Sequence, residues 1–274
     1  MSLPTAVPLT GLDTPLPEIP ALILPALGDT LLMVGIVMVV VVAVGVPLGV
    51  LLHNLAPGGL LERPAAHTVL SWVVSIGRSL PFLVLMAALV PVTRFVTGTN
   101  IGIPAAVVPM ALAGTAFFSR IVENALRTVP PALVTVAQAS GASPLQIIRS
   151  VQLSEATPTI IGGLTINTIA MIEYSAIAGT IGAGGIGYVA VTYGYQRFDH
   201  AVMIATIVVL VALVAAVQLV GDALARATDP RSGAAARRRT RTGLPVPVPA
   251  PVPAQGAPAP GTLPTPLLES PRVH

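Results

Sequence analysis

The chain is 274 residues long, 54% hydrophobic and only 9% charged, with a formal net charge of +3. Soluble globular domains carry about a quarter charged residues, so this composition excludes that class and marks an integral membrane protein. All 14 basic residues are Arg, so a phosphate-binding loop that needs Lys is absent, and any ATP is hydrolysed by another chain.

The chain has no Cys, which removes disulfides, thiolate metal sites and Cys nucleophiles. His53, His67, His200 and His274 stand far apart without ligand spacing, and no nucleophile–base constellation is visible, so neither a metal site nor an enzyme is predicted. Arg226, Arg231, Arg237, Arg238, Arg239 and Arg241 follow the last apolar segment without interleaved aromatics. They read as a cytoplasmic flank beside anionic lipid, not as a nucleic-acid surface.

Residues 1–27 form a Pro-rich tail with Asp13 and Glu18. Five apolar stretches follow, at about 29–52, 67–91, 102–119, 157–181 and 201–223, each near the roughly 20 residues that cross a bilayer as a helix. The third is short and carries Pro104 and Pro109, leaving the count open by one. The expected fold is all-α, with a membrane domain at 28–228 and a low-complexity tail rich in Arg and Pro at 229–274, expected to be disordered. Placing the amino terminus outside leaves Arg63, Arg120, Arg127, Arg149 and the Arg cluster cytoplasmic, and only Arg94 and Arg197 outside, as the positive-inside rule requires.

Arg78 falls inside the second stretch and Glu173 inside the fourth. A charge at the bilayer centre is costly, so each is expected to face the bundle interior, water or a partner. Two readings stand: a functional site, or an Arg78–Glu173 pair joining two spans. Pro81 removes a helix hydrogen bond and is expected to kink the second span.

Between spans three and four lies a polar connector. "PALVTVAQAS", 131–140, reads as a short helix stopped by Gly141, which can take the left-handed conformation. A second helix starts at Ser143, with Pro144 at its first position and Gln146 completing a capping box. Leu145, Ile148 and Val151 are expected to share one face, with Gln146, Arg149 and Ser150 pointing elsewhere. Such an elbow either lies on lipid or docks a protein. Farther on, "GTIGAGGIG", 179–187, is too rich in Gly to continue a helix and is predicted to be a close-packed outer turn.

"VAQASGASPLQIIRSVQLSEATP" resembles the EAA loop of ABC importer permeases. "RSLPFLVLMAALVPVTRFVTGTNIGIPAAVVP", "FFSRIVENAL", "YSAIAGTIGAGGIG" and "YGY" resemble, in the same order, the membrane subunit of methionine-uptake ABC transporters over about residues 28–226. The resemblance implies five membrane helices per subunit and a homodimer with two cytoplasmic ATPase subunits, which hold the ATP and magnesium. Substrate is delivered by an extracytoplasmic methionine-binding lipoprotein, in the cytoplasmic membrane of a bacterium. It also implies that the elbow couples to the ATPase through Thr135, Ala137, Ala139, Gly141, Ala142, Ser143, Pro144, Ile147, Ile148, Leu153 and Glu155. Thr135 stands where the loop usually has Glu, and Ser154 where it usually has Pro. A lost carboxylate removes one charge-assisted contact to the partner.

By the same resemblance, "RSLP" places Arg78, Ser79 and Pro81 near the translocation path; Glu173, with Tyr174 and Ser175, is a candidate as an intramembrane charge, and it stands where the family is expected to have Gly or another small residue. Gly182, Gly184, Gly185 and Gly187 form the outer turn, against a symmetry-related copy or the docked binding protein. Two alternatives remain: an ABC permease for another small solute such as glycine betaine, and an ion-coupled secondary transporter using Arg78 and Glu173.

Overall fold

The structure, a computed structural model, describes residues 14–228. Residues 1–13 of the expected amino-terminal tail and the whole expected tail at 229–274 lie outside the described residues. The described part is helical. It comprises α1 (Ile19–Leu55), α2 (Pro64–Ser79), α3 (Phe82–Ala88), α4 (Val90–Thr97), α5 (Ile103–Arg127), α6 (Pro131–Ala139), α7 (Pro144–Ile147), α8 (Leu153–Ala178), α9 (Gly185–Val189) and α10 (His200–Thr228).

Four helical runs are long and apolar enough to cross a membrane: α1, α5, the run Pro144–Ala183, and α10. The bent pair α2–α3 brings the number to five if it counts as one span. Pro81 breaks that pair by 105°, far beyond a simple kink. The residue before a proline is driven out of the α region, and Leu80 is accordingly extended at φ −91°, ψ 135°. α1 begins at Ile19, so residues 19–27, read as tail, belong to the first helix. Its opening turns pack Ile19, Ile23 and Ala26 against Ile186, Val189 and Val202, and this distant contact is what holds them helical.

The core is the seam between α1 and α5. On α1, Met33, Val37 and Val41 recur every four residues and meet Met110, Phe118 and Val122 of α5 and Met171 of α8. Gly45 and Gly49 let the two backbones approach: a Cβ on Gly49 would stand 2.5 Å from the Ser119 carbonyl oxygen, and one on Gly45 3.0 Å from Phe118. Small residues four apart serve this purpose in membranes, where lipid offers apolar groups no drive to associate. The α8–α10 seam uses the same device, since a Cβ on Gly221 would overlap the Thr165 hydroxyl.

The Gly-rich segment is more than a turn. The helix carries on past Gly179 with π-type spacing but is kinked at Gly182, and the reversal falls at Gly182, Gly184 and Gly185, with φ of 99°, 84° and 80°. Ile186 N–H then donates to Thr30 Oγ1 of α1 at 3.0 Å, and Gly102 N–H to the Gly182 carbonyl at 3.0 Å. α9 folds back on α8, because Gly187 lies so close to the Ala176 backbone that a Cβ would overlap it.

Candidate functional site

The elbow between α5 and α8 is built by local hydrogen bonds. At its centre Gly141 has φ +79°, the left-handed region. Gly141 N–H donates to the Gln138 carbonyl at 2.9 Å and Ala142 N–H to the Ala137 carbonyl at 3.1 Å, the paired bonds of a Schellman stop. Ser143 then caps α7: its N–H donates to Gln146 Oε1 at 2.8 Å while Gln146 N–H donates to Ser143 Oγ at 3.4 Å. Both expected caps are formed.

α6 buries none of its residues. Leu133 and Val136 on α6 are 40% and 65% exposed, and Leu145 on α7 is 57% exposed. Thr135 is exposed and its hydroxyl donates to its own helix, to the Pro131 carbonyl at 3.1 Å. Ala139 and Ser143 are exposed, Ala137, Ala142, Leu153 and Glu155 half-buried.

The predicted shared face of Leu145, Ile148 and Val151 does not form. Leu145 points outward, and Ile147, Ile148, Gln152 and Ala156 are the buried set. α7 is a single turn, and Ile148–Gln152 follows with π-type spacing, so a 3.6-residue period does not apply there. Nor is the second arm a separate short helix, since Pro144–Ala183 runs on as one helical span of 40 residues.

Two polar contacts tie the elbow region to the bundle. Asn54, at the end of α1, donates through Nδ2 to Gln152 Oε1 at 3.0 Å and to the Val50 carbonyl at 2.9 Å. On α5, Glu123 is 1% exposed and accepts from Arg120 at 2.7 Å and Arg127 at 2.6 Å. Arg120 also donates to the carbonyl and hydroxyl of Ser71, which joins α5 to α2. Sequence reasoning passed over this cluster and the Gly45/Gly49 seam. The G-x-x-x-G spacing in an apolar run was a readable signal for the second.

The candidate path residues are divided. Arg78 and Glu173 are both exposed on the single chain and form no ion pair with each other, so of the two readings the Arg78–Glu173 pair joining two spans is not formed within one chain. The Arg78 guanidinium instead sits 5.7 Å from the Phe117 ring centroid. Tyr174 stacks on Phe82 with centroids 4.3 Å apart, linking α8 to the start of α3 just past the Pro81 break. Ser79 donates to the Ile76 carbonyl at 2.9 Å, and the buried Ser175 to the Ile172 carbonyl at 2.7 Å. Among the described residues no group of three His, Cys, Asp or Glu is placed to hold a metal.

At the far end from the elbow, Asp199 is buried just before α10. Burial by itself raises its carboxyl, but Thr14 Oγ1, Val202 N–H at 3.0 Å and Thr14 N–H at 2.9 Å all donate to it. These bonds outweigh burial and hold the group below the usual carboxylate range.

A helical bundle with four or five candidate membrane spans is the architecture of a polytopic membrane protein. The sequence profile described as "Binding-protein-dependent transport system inner membrane component" matches residues 45–233. The chain belongs to that family. It is 50% identical over 210 residues, 77% of this chain and 93% of the relative, to the probable D-methionine transport system permease protein MetI of Vibrio cholerae. The corresponding protein of Haemophilus influenzae is 40% identical over 191 residues, covering 69% of this chain and 89% of the relative. Among solved structures, the chain is similar to one of the MetNI methionine ABC transporter in inward-facing conformations, with TM-score 0.76 and 37% identity over 78% of this chain and 99% of that chain.

Proposed function

We propose that this chain is the membrane-spanning subunit of an ATP-driven importer that carries methionine inward by alternating access. It works as a pair of copies, with two ATPase subunits seated on the elbows and an extracytoplasmic binding lipoprotein delivering substrate. Its amino terminus lies outside and its carboxy terminus in the cytoplasm of a bacterial cell. The chain itself is non-catalytic; ATP and magnesium belong to the partner. The methionine assignment rests on the 50% identity to a D-methionine permease.

The observation that carries the mechanism is the elbow. Its caps use only bonds within 137–146, so its shape exists before any partner arrives, and the ordering cost of docking is small. Leu133, Val136 and Leu145 offer the apolar contact. Displacing the elbow moves one 40-residue helical run, about 60 Å long at 1.5 Å per residue. The stacked Tyr174–Phe82 pair on that run passes the movement to α3 at the Pro81 break. This is where the path is expected to open and close, beside Arg78 and Glu173, which in a pair of copies face the other copy or the water-filled path.

The test is uptake of labelled methionine into proteoliposomes holding this chain, its ATPase and its binding protein, with internal ATP and with betaine as competitor. ATP-dependent uptake that betaine leaves untouched supports the proposal. Uptake of betaine in place of methionine makes it a permease for that solute, and uptake driven by an ion gradient without ATP overturns the ATP-driven reading.

A further inference from the structure

Behind the elbow lies a cavity of about 580 Å³, within the size range of sites for small molecules. Its walls come from the end of α1, the loop 56–60, the start of α2, the end of α5, α6 and the π-type stretch before α8. The polar side chains on it are His53, His67, Arg127, Thr135, Gln138 and Gln152. No Asp or Glu lines it. The nearby Glu123 carboxylate is already held by Arg120 and Arg127, and Glu62 faces a neighbouring cavity.

The set is therefore rich in hydrogen-bond donors, and because Glu123 is shared between Arg120 and Arg127, one net positive charge stays with that group at the cavity wall. On that wall His67 Nε2 is buried without a hydrogen-bond partner. Buried polar nitrogens are almost always partnered, so an orphan on the wall of a cavity marks a place where a ligand atom belongs. The floor is fixed: Leu61 N–H donates to the Asn54 carbonyl at 3.0 Å and Gly59 N–H to the Ala56 carbonyl at 2.9 Å, so the site is preformed. Guanidinium and imidazole N–H groups with the amides of Gln138 and Gln152 match the oxygens of a phosphate, while the Thr135 hydroxyl is held by the Pro131 carbonyl.

We infer that this cavity, bounded by His53, His67, Arg127, Thr135, Gln138 and Gln152, binds a phosphate-bearing anion behind the coupling elbow. The cavity lies where α1 and α5 end, at the level at which these spans leave the bilayer. Under the orientation proposed above, on which this inference rests, that is the inner leaflet. An anionic phospholipid headgroup and a free phosphate share the required chemistry. Bound there, the anion bridges α5, α6 and the loop after α1 and stiffens the elbow's footing.

The experiment is native mass spectrometry of the detergent-purified complex with its ATPase, titrated with phosphatidylglycerol, with phosphatidylcholine, and with inorganic phosphate as competitor. Wild-type chain is expected to retain phosphatidylglycerol over phosphatidylcholine. Gln138→Glu puts a carboxylate on the wall at an exposed position and is expected to weaken retention about tenfold; His67→Leu, which removes the orphan nitrogen, is expected to act in the same direction. Retention that phosphate does not displace identifies the lipid as the source. Displacement by phosphate supports the same site with the free anion as ligand. Equal retention by wild type and both variants, or no preference for the anionic lipid, overturns the inference. The ATPase seen in the same spectra reports separately on the elbow, so lipid lost from the variants with the ATPase still attached supports the site, and wild type that holds its ATPase but no anionic lipid overturns the site while leaving the proposed function standing.

Discussion

Gly141 offers the sharpest test of the elbow. Its φ is +79°, and a Cβ placed on it would meet nothing within 4 Å. Any penalty on substitution is therefore a backbone penalty and not a steric one. An L-residue in the left-handed region costs about 1–2 kcal/mol, less for Asn, whose short side chain bonds locally. A β-branched residue is worse still. One to two kcal/mol is a factor of about 5–30 in an equilibrium constant, which is the largest loss expected in the fraction of elbows bent to receive the ATPase. In proteoliposomes, the ratio of methionine transported to ATP hydrolysed should fall in the order Gly, Asn, Ala, Val, while the amount of inserted protein stays level. Normal coupling by Gly141→Val would sink the argument. Equal damage from Asn and Val would show that bulk, and not backbone conformation, is what the position resists.

The Glu123 cluster predicts an asymmetry. Glu123→Gln removes the buried partner of Arg120 and should cost about 3 kcal/mol, whereas Arg127→Gln, at an Arg side chain 58% exposed, should cost at most about 1 kcal/mol. The sole Trp, Trp72, neighbours Ser71, which accepts from Arg120, so its fluorescence on heating reads the α2–α5 junction directly. Equal shifts in the two variants would refute the account. For Asp199 the folded carboxyl titrates below its unfolded value of about 3.9, so its contribution is complete above that value and is lost as pH falls through the folded one. Asp199→Asn should therefore lower the melting midpoint at pH 7 by an amount that shrinks in strong acid, and a gap constant with pH would contradict this. Because Arg78 and Glu173 are not paired, the Arg78→Glu/Glu173→Arg swap should show the summed damage of the two reversals. Rescue by the swap, scored as folded protein after detergent extraction, would restore the pairing.

What was legible in the sequence follows from the range of the forces. The spans could be read from hydropathy because lipid demands that every backbone polar group be satisfied within its own helix. The elbow could be read because Gly141, Ser143, Pro144 and Gln146 form their caps with neighbours five residues away or fewer. The break at Pro81 is local for the same reason, though its 105° depends on what α3 packs against. Tertiary structure alone decided the rest. It turned Leu145 outward and Ile147 inward through a π-type stretch, extended α1 back to Ile19 by contact with α9 and α10, and joined Arg120 to Ser71 of α2 while leaving Arg78 and Glu173 apart. Groups far apart in sequence meet or miss according to helix rotation, which is set by seams such as the one where Gly45 and Gly49 of α1 lie against α5. Hydropathy along one strand of sequence carries no record of that rotation.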